Sequence, residues 1–352
     1  MVMDMVRKKK NKFLKIICLI ILLIFILIPV SGVIVYKSAF VSYSYEPAPF
    51  PIGIKPYHQV GEKTYTCQEI QYKSNKETLQ GYYYKAEDSK GIIIFNHGYK
   101  SAAEVFFPLF IKLIDNNYSI FAYDGTGVNN STGKSTVGFC QPLIDLNNTI
   151  SYVKSSDLIE ENDIYLMGHS MGGYAVCSVL SLQDDIKGVV SLSGVCDAYN
   201  LIFDKGKQYI GFLVYLLKPL LNVLQNKDFK EYKDYNSVKG LNDSNVPALI
   251  IHGVDDKTIL YDKDSIISRK DLITNPNVTY YTQEGLNAGH SNIIYSEEAI
   301  RYQKEVTKTL KEITKNKDSA RFEQYYNEID HQLYSQIDDG ILNQILDFYN
   351  SH

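Results

Sequence analysis

Residues 164–173 constrain the fold of this chain more than any other stretch of it. They read Ile-Tyr-Leu-Met-Gly-His-Ser-Met-Gly-Gly, so a short apolar run ends in the segment from Gly168 to Gly172 with a serine at its centre. Small residues two positions either side of a serine permit a sharp turn from a strand into a helix, and the turn holds the hydroxyl clear of the backbone. Apolar residues then follow at helical spacing, namely Ala175, Val176, Val179 and Leu180. The stretch predicts a strand, a tight turn that presents Ser170, and a helix.

Short apolar runs rich in β-formers recur along the chain and alternate with helical patterns. Eight of them are candidate strands, at residues 64–72, 79–85, 92–95, 119–123, 164–167, 188–192, 246–251 and 278–281. The first two are separated by a linker short enough for an antiparallel hairpin. Helical patterns separate the later ones, which implies right-handed crossovers. We therefore expect an α/β fold with a mostly parallel eight-stranded sheet and helices on both faces.

Residues 197–240 interrupt this alternation. Their middle, residues 209–221, is strongly apolar but too short to cross a bilayer easily, and Lys218 with Pro219 interrupts it. We interpret the segment as a helical lid inserted over the carboxyl edge of the sheet. Its apolar face either packs down on the domain or, through Phe212 and Leu216, lines a pocket for an acyl group.

The N-terminus has the pattern of a membrane anchor. Residues 16–36 contain no charge and are long enough to span about 30 Å of hydrocarbon as a helix. Six basic residues against Asp4 precede them, which predicts a cytoplasmic tail at 1–15, a single-pass anchor in the cell membrane and an extracytoplasmic domain. The alternative is a signal peptide cleaved near Gly32, with the domain secreted, although the apolar run exceeds the usual length.

The remaining boundaries follow from composition. Residues 37–60 contain four prolines and suit a semi-extended extracellular spacer, so we expect the domain at 61–316. Residues 317–352 are predicted as a C-terminal helical extension, with a break at Gly340. That extension is either a helical pair packed on the domain or an arm that binds a partner.

Charge and cysteine content limit which partners and metal sites we expect for this chain. The whole chain has a net charge of −4 and the basic tail contributes about +5, so the remainder is acidic and nucleic acid is not an expected partner. Outside the anchor, Cys67, Cys140, Cys177 and Cys196 show no spacing typical of a metal site, so we expect no metal. They are either free thiols or include a disulfide between Cys67 and Cys140.

Acidic and histidine candidates follow later strands. A serine hydroxyl needs a base within hydrogen-bond reach, and the base needs an orienting carboxylate. Asp255 and Asp256 lie beyond the strand at 246–251, Asp197 lies beyond the previous one, and His290 follows the last strand. Serine, aspartate, histidine is the chain order expected when a strand-to-helix turn supplies the nucleophile.

These motifs together resemble those of the α/β-hydrolase superfamily, in its serine aminopeptidase or lysophospholipase-like branch, over roughly residues 64–314. The motifs are the serine turn, the acid loop, Gly289-His290, the segment 96–99 and the loop at 121–133. The resemblance implies Ser170 as nucleophile, His290 as base and Asp256, rather than Asp255, as the acid because of its distance from Gly253. It further implies that the backbone N–H groups of Tyr99 and Met171 form the oxyanion hole.

Two features need explanation within that resemblance. The superfamily often has an arginine near position 125 or 126, where this chain has Gly125-Thr126, so the support of the oxyanion loop differs. His97, His169 and His252 also lie at strand ends, and we interpret them as structural.

The sequence thus predicts a membrane-anchored serine hydrolase that cleaves an ester, thioester or amide, small or lipid-like, through an acyl-enzyme and without cofactor or metal. An acyltransferase with the same three residues and a catalytically silent, tethered binding protein remain alternatives. Neither the substrate nor the oligomeric state follows from the sequence.

Overall fold

An eight-stranded sheet forms the centre of this computed structural model, which describes residues 2–40, 59–60, 63–133, 140–316 and 319–352. Its strands are β1 (Cys67–Ser74), β2 (Glu77–Tyr84), β3 (Ile92–Asn96), β4 (Ser119–Asp124), β5 (Ile164–His169), β6 (Ile186–Leu192), β7 (Ala248–Gly253) and β8 (Val278–Gln283). Their spatial order is β1-β2-β4-β3-β5-β6-β7-β8. β1 and β2 pair antiparallel, as do β2 and β4, and all the other pairs are parallel. The predicted fold class is confirmed, because each of the eight expected strands is present.

Helices cover both faces of the sheet. The α-helices are α1 (Val2–Phe40), α2 (Phe107–Ile114), α3 (Gln141–Ser155), α4 (Met171–Ser178), α5 (Ala198–Ile210), α6 (Val214–Phe229), α7 (Ser237–Asp243), α8 (Glu297–Lys315), α9 (Ser319–Glu328), α10 (His331–Tyr334) and α11 (Asp339–Asn350). Alternate strand residues point to opposite faces. Ile94 and Leu166 pack with α3 and α4 on one face, whereas Phe95 and Met167 pack with α2 and α11 on the other. Two continuous apolar layers therefore fix the strands whose ends carry the site.

The lid lies between β6 and β7, as predicted, and consists mainly of α5 and α6. The two helices meet at Gly211, whose φ of +59° favours glycine, whereas Pro219 lies inside α6 and does not end it. Phe212 is 76% exposed and Leu216 is 41% exposed. These two side chains therefore face outward, which neither of our interpretations of the lid's apolar face anticipates.

One long apolar helix precedes the domain. The segment Lys10–Lys37 of α1 is long and apolar enough to cross a membrane, so it could be a membrane anchor or a signal sequence. Its C-terminal turns contact the lid. Residues 41–58 and 61–62, which include most of the predicted spacer at 37–60, lie outside the described residues.

The C-terminal helices pack on the domain. Ile341 and Ile345 of α11 are fully buried in the same apolar layer as Phe95. The Tyr349 hydroxyl donates a hydrogen bond of 2.9 Å to the Leu166 carbonyl of β5. Gly340 is the second residue of α11, so the break that we placed at Gly340 lies before this helix. The packing favours a structural role for the extension over a free arm.

The cysteine thiols are free. Cys67 is partly exposed, Cys140, Cys177 and Cys196 are buried, and none of them forms a disulfide among the described residues. The alternative bridge between Cys67 and Cys140 is therefore not formed in this structure. Burial raises the pKa of the Cys140 thiol to about 12, which keeps it protonated.

Candidate active site

The turn between β5 and α4 holds Ser170 in a strained conformation. Its φ is +58° and its ψ is −114°, a region that residues with a side chain rarely occupy. The Ser170 amide donates to the Leu192 carbonyl of the next strand, which fixes the turn against β6. A Cβ atom at Gly172 would collide with the Asn96 carbonyl, and one at Gly168 would collide with Gly172. The glycines are thus required by close backbone approach, as the sequence predicts.

Ser170, His290 and Asp256 lie in one hydrogen-bonded line at the carboxyl edge of the sheet. The Ser170 Oγ is 2.9 Å from His290 Nε2, and His290 Nδ1 is 2.7 Å from Asp256 Oδ2. Because Asp256 is a buried acceptor, Nδ1 carries the proton that it donates, and Nε2 is left to accept from the serine hydroxyl. Three residues that are distant in the sequence therefore meet as a nucleophile, a base and an acid would.

The Asp256 carboxylate accepts hydrogen bonds on both oxygens. The backbone amides of Thr258 and Ile259 donate to Oδ1 at 2.8 Å, and His252 Nε2 lies 3.1 Å from Oδ2 beside His290. Burial alone would raise the pKa of this carboxyl. The hydrogen bonds from His252 and His290 outweigh burial and hold the pKa below its usual range. Asp256 therefore remains ionised throughout the neutral range.

The other two acidic candidates have different positions. Asp255 is exposed, and its Oδ1 lies 3.4 Å from Lys257 Nζ. Asp197 accepts from the Asn200 amide and so caps the N-terminus of α5. The structure brings neither carboxylate to His290.

His169 contacts His290 from the serine turn. Its Nε2 is 2.8 Å from the His290 carbonyl, and the two rings lie 4.8 Å apart. Burial, and next the neighbouring His290, lower the pKa of His169 to about 3. The ring is therefore neutral, and its Nε2–H donates to the loop that carries His290. The sequence indicates packing at this position but gives no signal for a contact 121 residues away.

The segment after β3 passes directly beside Ser170. A Cβ atom at Gly98 would lie 3.0 Å from the Ser170 Cβ, so only a glycine leaves full room there. Tyr99, the first predicted oxyanion donor, follows Gly98 in the chain. Met171, the second, is the first residue of α4, and the amides of a first helical turn have no acceptor within the helix. Both predicted donors thus belong to backbone segments adjacent to Ser170.

Two buried acceptors, His97 and Asp145, hold the loop at Gly125 and Thr126, where this chain departs from the pattern of the superfamily. His97 Nε2 accepts from the Gly125 amide at 2.9 Å, and Nδ1 donates to the Gly98 carbonyl. Burial is the main cause that lowers the pKa of His97, so the ring is neutral and suits both contacts.

Asp145 holds the other half of the same loop. Its fully buried carboxylate accepts from the amide and the hydroxyl of Thr126, and from the side chains of Gln141 and Ser74. Burial raises the pKa of Asp145 against these hydrogen bonds. The sequence gives no signal for Asp145, because its hydrogen-bond partners come from three separate segments.

A cavity lies within the lid segment, between α6 and residues near the two ends of that segment. Its volume is about 600 Å³, and Asp197, Tyr215, Lys218 and Asn236 are among its lining residues. Among the described ranges, no group of three or more histidine, cysteine or acidic side chains is arranged to hold a metal ion.

The sheet order, the serine turn after β5 and the acid and histidine loops after β7 and β8 define an α/β-hydrolase. Comparisons with known proteins agree with this class. The family model described as serine aminopeptidase, S33, matches residues 87–245. The chain has the α/β-hydrolase fold, and the family-model match is consistent with the serine hydrolase branch that its motifs predict.

Relatives and solved structures show the same similarity. The uncharacterized protein YfhR of Escherichia coli O157:H7 is 26% identical over 208 residues, which are 56% of this chain and 66% of YfhR, slightly under two thirds of its length. The esterase PF2001 of Pyrococcus furiosus superposes with a TM-score of 0.53 at 19% identity, covering 72% of this chain and 90% of the esterase. Est1E of Butyrivibrio proteoclasticus, solved with ferulic acid bound, gives 0.51 at 18% identity, covering 63% and 91%.

Proposed function

We propose that this chain is a membrane-anchored hydrolase that cleaves an ester, thioester or amide through a covalent acyl-enzyme. The observation that carries the proposal is the continuous hydrogen-bonded line from Ser170 through His290 to Asp256. The esterase structures that share its fold and the serine aminopeptidase family model support the same class of reaction.

In the first half of the reaction, the Ser170 oxygen attacks the carbonyl carbon of the substrate while His290 Nε2 accepts the hydroxyl proton. Asp256 holds the ring in the required tautomer and stabilises its positive charge. The carbonyl oxygen becomes an oxyanion, to which the amides of Tyr99 and Met171 donate. One such donor is worth about 3 to 4 kcal/mol in comparable sites.

Collapse of this intermediate expels the alcohol, thiol or amine, which takes the proton from His290 and leaves the acyl group on Ser170. A water molecule then attacks the acyl carbon, and His290 again accepts the proton. The acid leaves, and Ser170 recovers its hydrogen.

Labelling by a fluorophosphonate probe tests the nucleophile. We expect the full-length protein to be labelled and the Ser170→Ala variant to lose the label, because the probe bonds only to an activated serine. Ser291→Ala is the matched control, since Ser291 is an exposed serine next to His290 and should label like the wild type. Equal labelling of wild type and Ser170→Ala would contradict the assignment of Ser170.

A panel of activated esters, thioesters and aminoacyl amides then defines the reaction. We expect at least one class to be hydrolysed by the wild type and not by Ser170→Ala. Analysis of products with and without an added alcohol or amine separates a hydrolase from an acyltransferase, because an acyltransferase would form the transfer product in preference to the acid.

We further propose that α1 is retained as a single-pass anchor with the catalytic domain outside the cell membrane. The basic residues before Ile16 and the uncharged run to Tyr36 support this orientation. A substrate at the outer face of the membrane is the corresponding expectation.

A further inference from the structure

The lid carries an exposed apolar surface that the hydrolase mechanism does not use. We call it the lid surface and define it by four side chains around the α5–α6 junction and along α6, each 40% to 76% exposed: Ile210, Phe212, Leu216 and Val223. Leu216 and Val223 lie seven residues apart, which places them on one stripe of α6. Large exposed apolar side chains grouped along one helix are typical of a contact with another surface.

A second side of α6 packs against the C-terminal turns of α1. Gly32 lies against Leu217, where an added Cβ would come within 2.8 Å of the leucine side chain. Four residues later, the Tyr36 hydroxyl accepts a hydrogen bond of 2.7 Å from Gln225 Nε2. Tyr36 is 7% exposed and Gln225 is 1% exposed, so this polar contact is buried. The lid is therefore joined to α1 at two successive turns.

These contacts set the depth of the lid relative to a bilayer. Tyr36 is the last residue of the uncharged run, and Gly32 lies about 6 Å deeper along a helix that rises about 1.5 Å per residue. If α1 spans the membrane, α6 lies at the boundary between headgroups and acyl chains. Amphipathic helices that lie in this boundary bury their apolar face by roughly 5–10 Å.

The charges of the lid suit the same location. α5 and α6 carry four lysines and two aspartates, although the chain as a whole is acidic. Lys207 lies 5.8 Å from the ring centre of Tyr215, and Lys218 lies 5.4 Å from that of Phe203. Lysines with aromatic neighbours are typical of segments that meet lipid phosphates at a membrane surface.

We propose that the lid surface inserts into the outer leaflet of the phospholipid bilayer beside the anchor, so that α1, α5 and α6 form one membrane-contact unit. This inference rests on the membrane anchor of the proposed function and not on its chemistry. The partner of the lid surface is the bilayer, because α6 packs directly against α1. Lipid that surrounds the outer end of α1 therefore also contacts α6.

Tryptophan fluorescence tests the proposal, because the chain contains no tryptophan. Single variants of the full-length protein are placed in nanodiscs of phosphatidylcholine and phosphatidylglycerol, with or without bromine on the acyl chains. Phe212→Trp and Val223→Trp report on the lid, and Leu23→Trp reports on the middle of α1. Leu158→Trp is the matched control, since Leu158 is 52% exposed and precedes β5 at the opposite edge of the sheet.

We expect Phe212→Trp and Val223→Trp to lose most of their emission when bromine lies near the ester end of the acyl chains. Leu23→Trp should lose most when bromine lies near the methyl end, and Leu158→Trp should keep its emission in both lipids. Quenching of Leu23→Trp with the lid variants behaving like Leu158→Trp would overturn the lid contact and leave the anchor intact. An unquenched Leu23→Trp would overturn both, whereas fluorophosphonate labelling of Ser170 tests the chemistry separately.

Discussion

His252, near the end of β7, contacts both the backbone of the following loop and the Asp256 carboxylate. Its Nε2 lies 3.0 Å from the Ile259 carbonyl and 3.1 Å from Asp256 Oδ2, and the ring is fully buried. Its Nδ1 has no hydrogen-bond partner among the described atoms, so the ring uses the Nε2 side for its polar contacts. His252 thereby limits the rotation of the carboxylate that orients His290.

If Asp256 acts as proposed, replacing His252 should weaken turnover while Ser170, His290 and Asp256 stay in place. We expect His252→Leu to lower kcat about 10- to 100-fold, because a lost hydrogen bond to a charged group costs about 1.5–3 kcal/mol. His252→Gln keeps an N–H donor and should retain more activity. Steady-state hydrolysis of an activated ester measures both, and equal kcat values for the two variants would contradict the role of the donor.

His169 makes the stability of the domain depend on pH. Its folded pKa of about 3 lies below the ordinary value of about 6.5, so between these values the unfolded chain binds one more proton than the folded one. The free energy of unfolding therefore falls as the pH falls from 6.5 towards 3. This direction follows from burial of a neutral imidazole.

The His169→Gln variant should lose part of that dependence. Between pH 7 and pH 4 we expect the wild type to lose about 2–3 kcal/mol more unfolding free energy than the variant does. Urea denaturation of the purified protein in detergent at both pH values measures the difference. His331→Gln, which changes an exposed histidine, should behave like the wild type. Parallel pH dependence in wild type and His169→Gln would contradict the buried neutral ring.

The sequence predicts Ser170, Asp256 and His290 as site residues. It does not predict the side chains whose hydrogen bonds hold the site and the neighbouring loop in place. Ser170, Asp256 and His290 each follow a recognisable strand, and a parallel sheet brings the carboxyl ends of its strands to one edge. The contacts of His169 and Asp145 depend on loop conformations that have no local pattern. The ends of the strands can be predicted because apolar residues in buried strands form recognisable runs in the sequence. Polar contacts between loops leave no such pattern.

Among the elements, α11 shows how a segment beyond the predicted domain completes its core. Ile345 is fully buried against the β5 side of the sheet, whereas Gln344 beside it is exposed. The sequence predicts the helix from its apolar spacing. It does not predict which face of the sheet the helix covers, since that depends on the path of the chain from α8 through α9 and α10.

Truncation of Ile345 should accordingly destabilise the whole domain. We expect Ile345→Ala to lower the free energy of unfolding by about 2–5 kcal/mol, as for other large-to-small changes in a packed core. Gln344→Ala on the exposed side should change it by less than about 0.5 kcal/mol. Denaturant unfolding of both variants provides the measurement. A change in Ile345→Ala no larger than in Gln344→Ala would show that α11 does not share the core.

In the lid, the sequence pattern predicts neither where the helices break nor which way their apolar residues face. Pro219 interrupts the apolar run in the sequence, yet α6 continues through it, and the break falls at Gly211. The apolar residues of the lid also face two ways, towards α1 and away from the domain. A single amphipathic pattern cannot describe a helix with two apolar sides.

At the scale of the whole molecule, the proposed topology has a direct test. An epitope placed before Met1 should survive protease added to intact spheroplasts, while the catalytic domain is degraded, because only the domain is predicted to lie outside the cell membrane. The protein should also keep its full mass in the membrane fraction. Loss of the epitope-bearing segment from the mature protein would indicate a cleaved signal sequence, and degradation of the epitope in intact spheroplasts would contradict the orientation.

The hydrogen bond from Tyr349 to the Leu166 carbonyl bears on the biogenesis of the protein. Leu166 belongs to β5, the strand that leads into the Ser170 turn, and its partner is 183 residues further along the chain. The nascent polypeptide therefore cannot close its core until residues 339–350 have left the ribosome. On the proposed topology, the domain would cross the membrane unfolded and bring Ser170, His290 and Asp256 together only after synthesis reaches that helix.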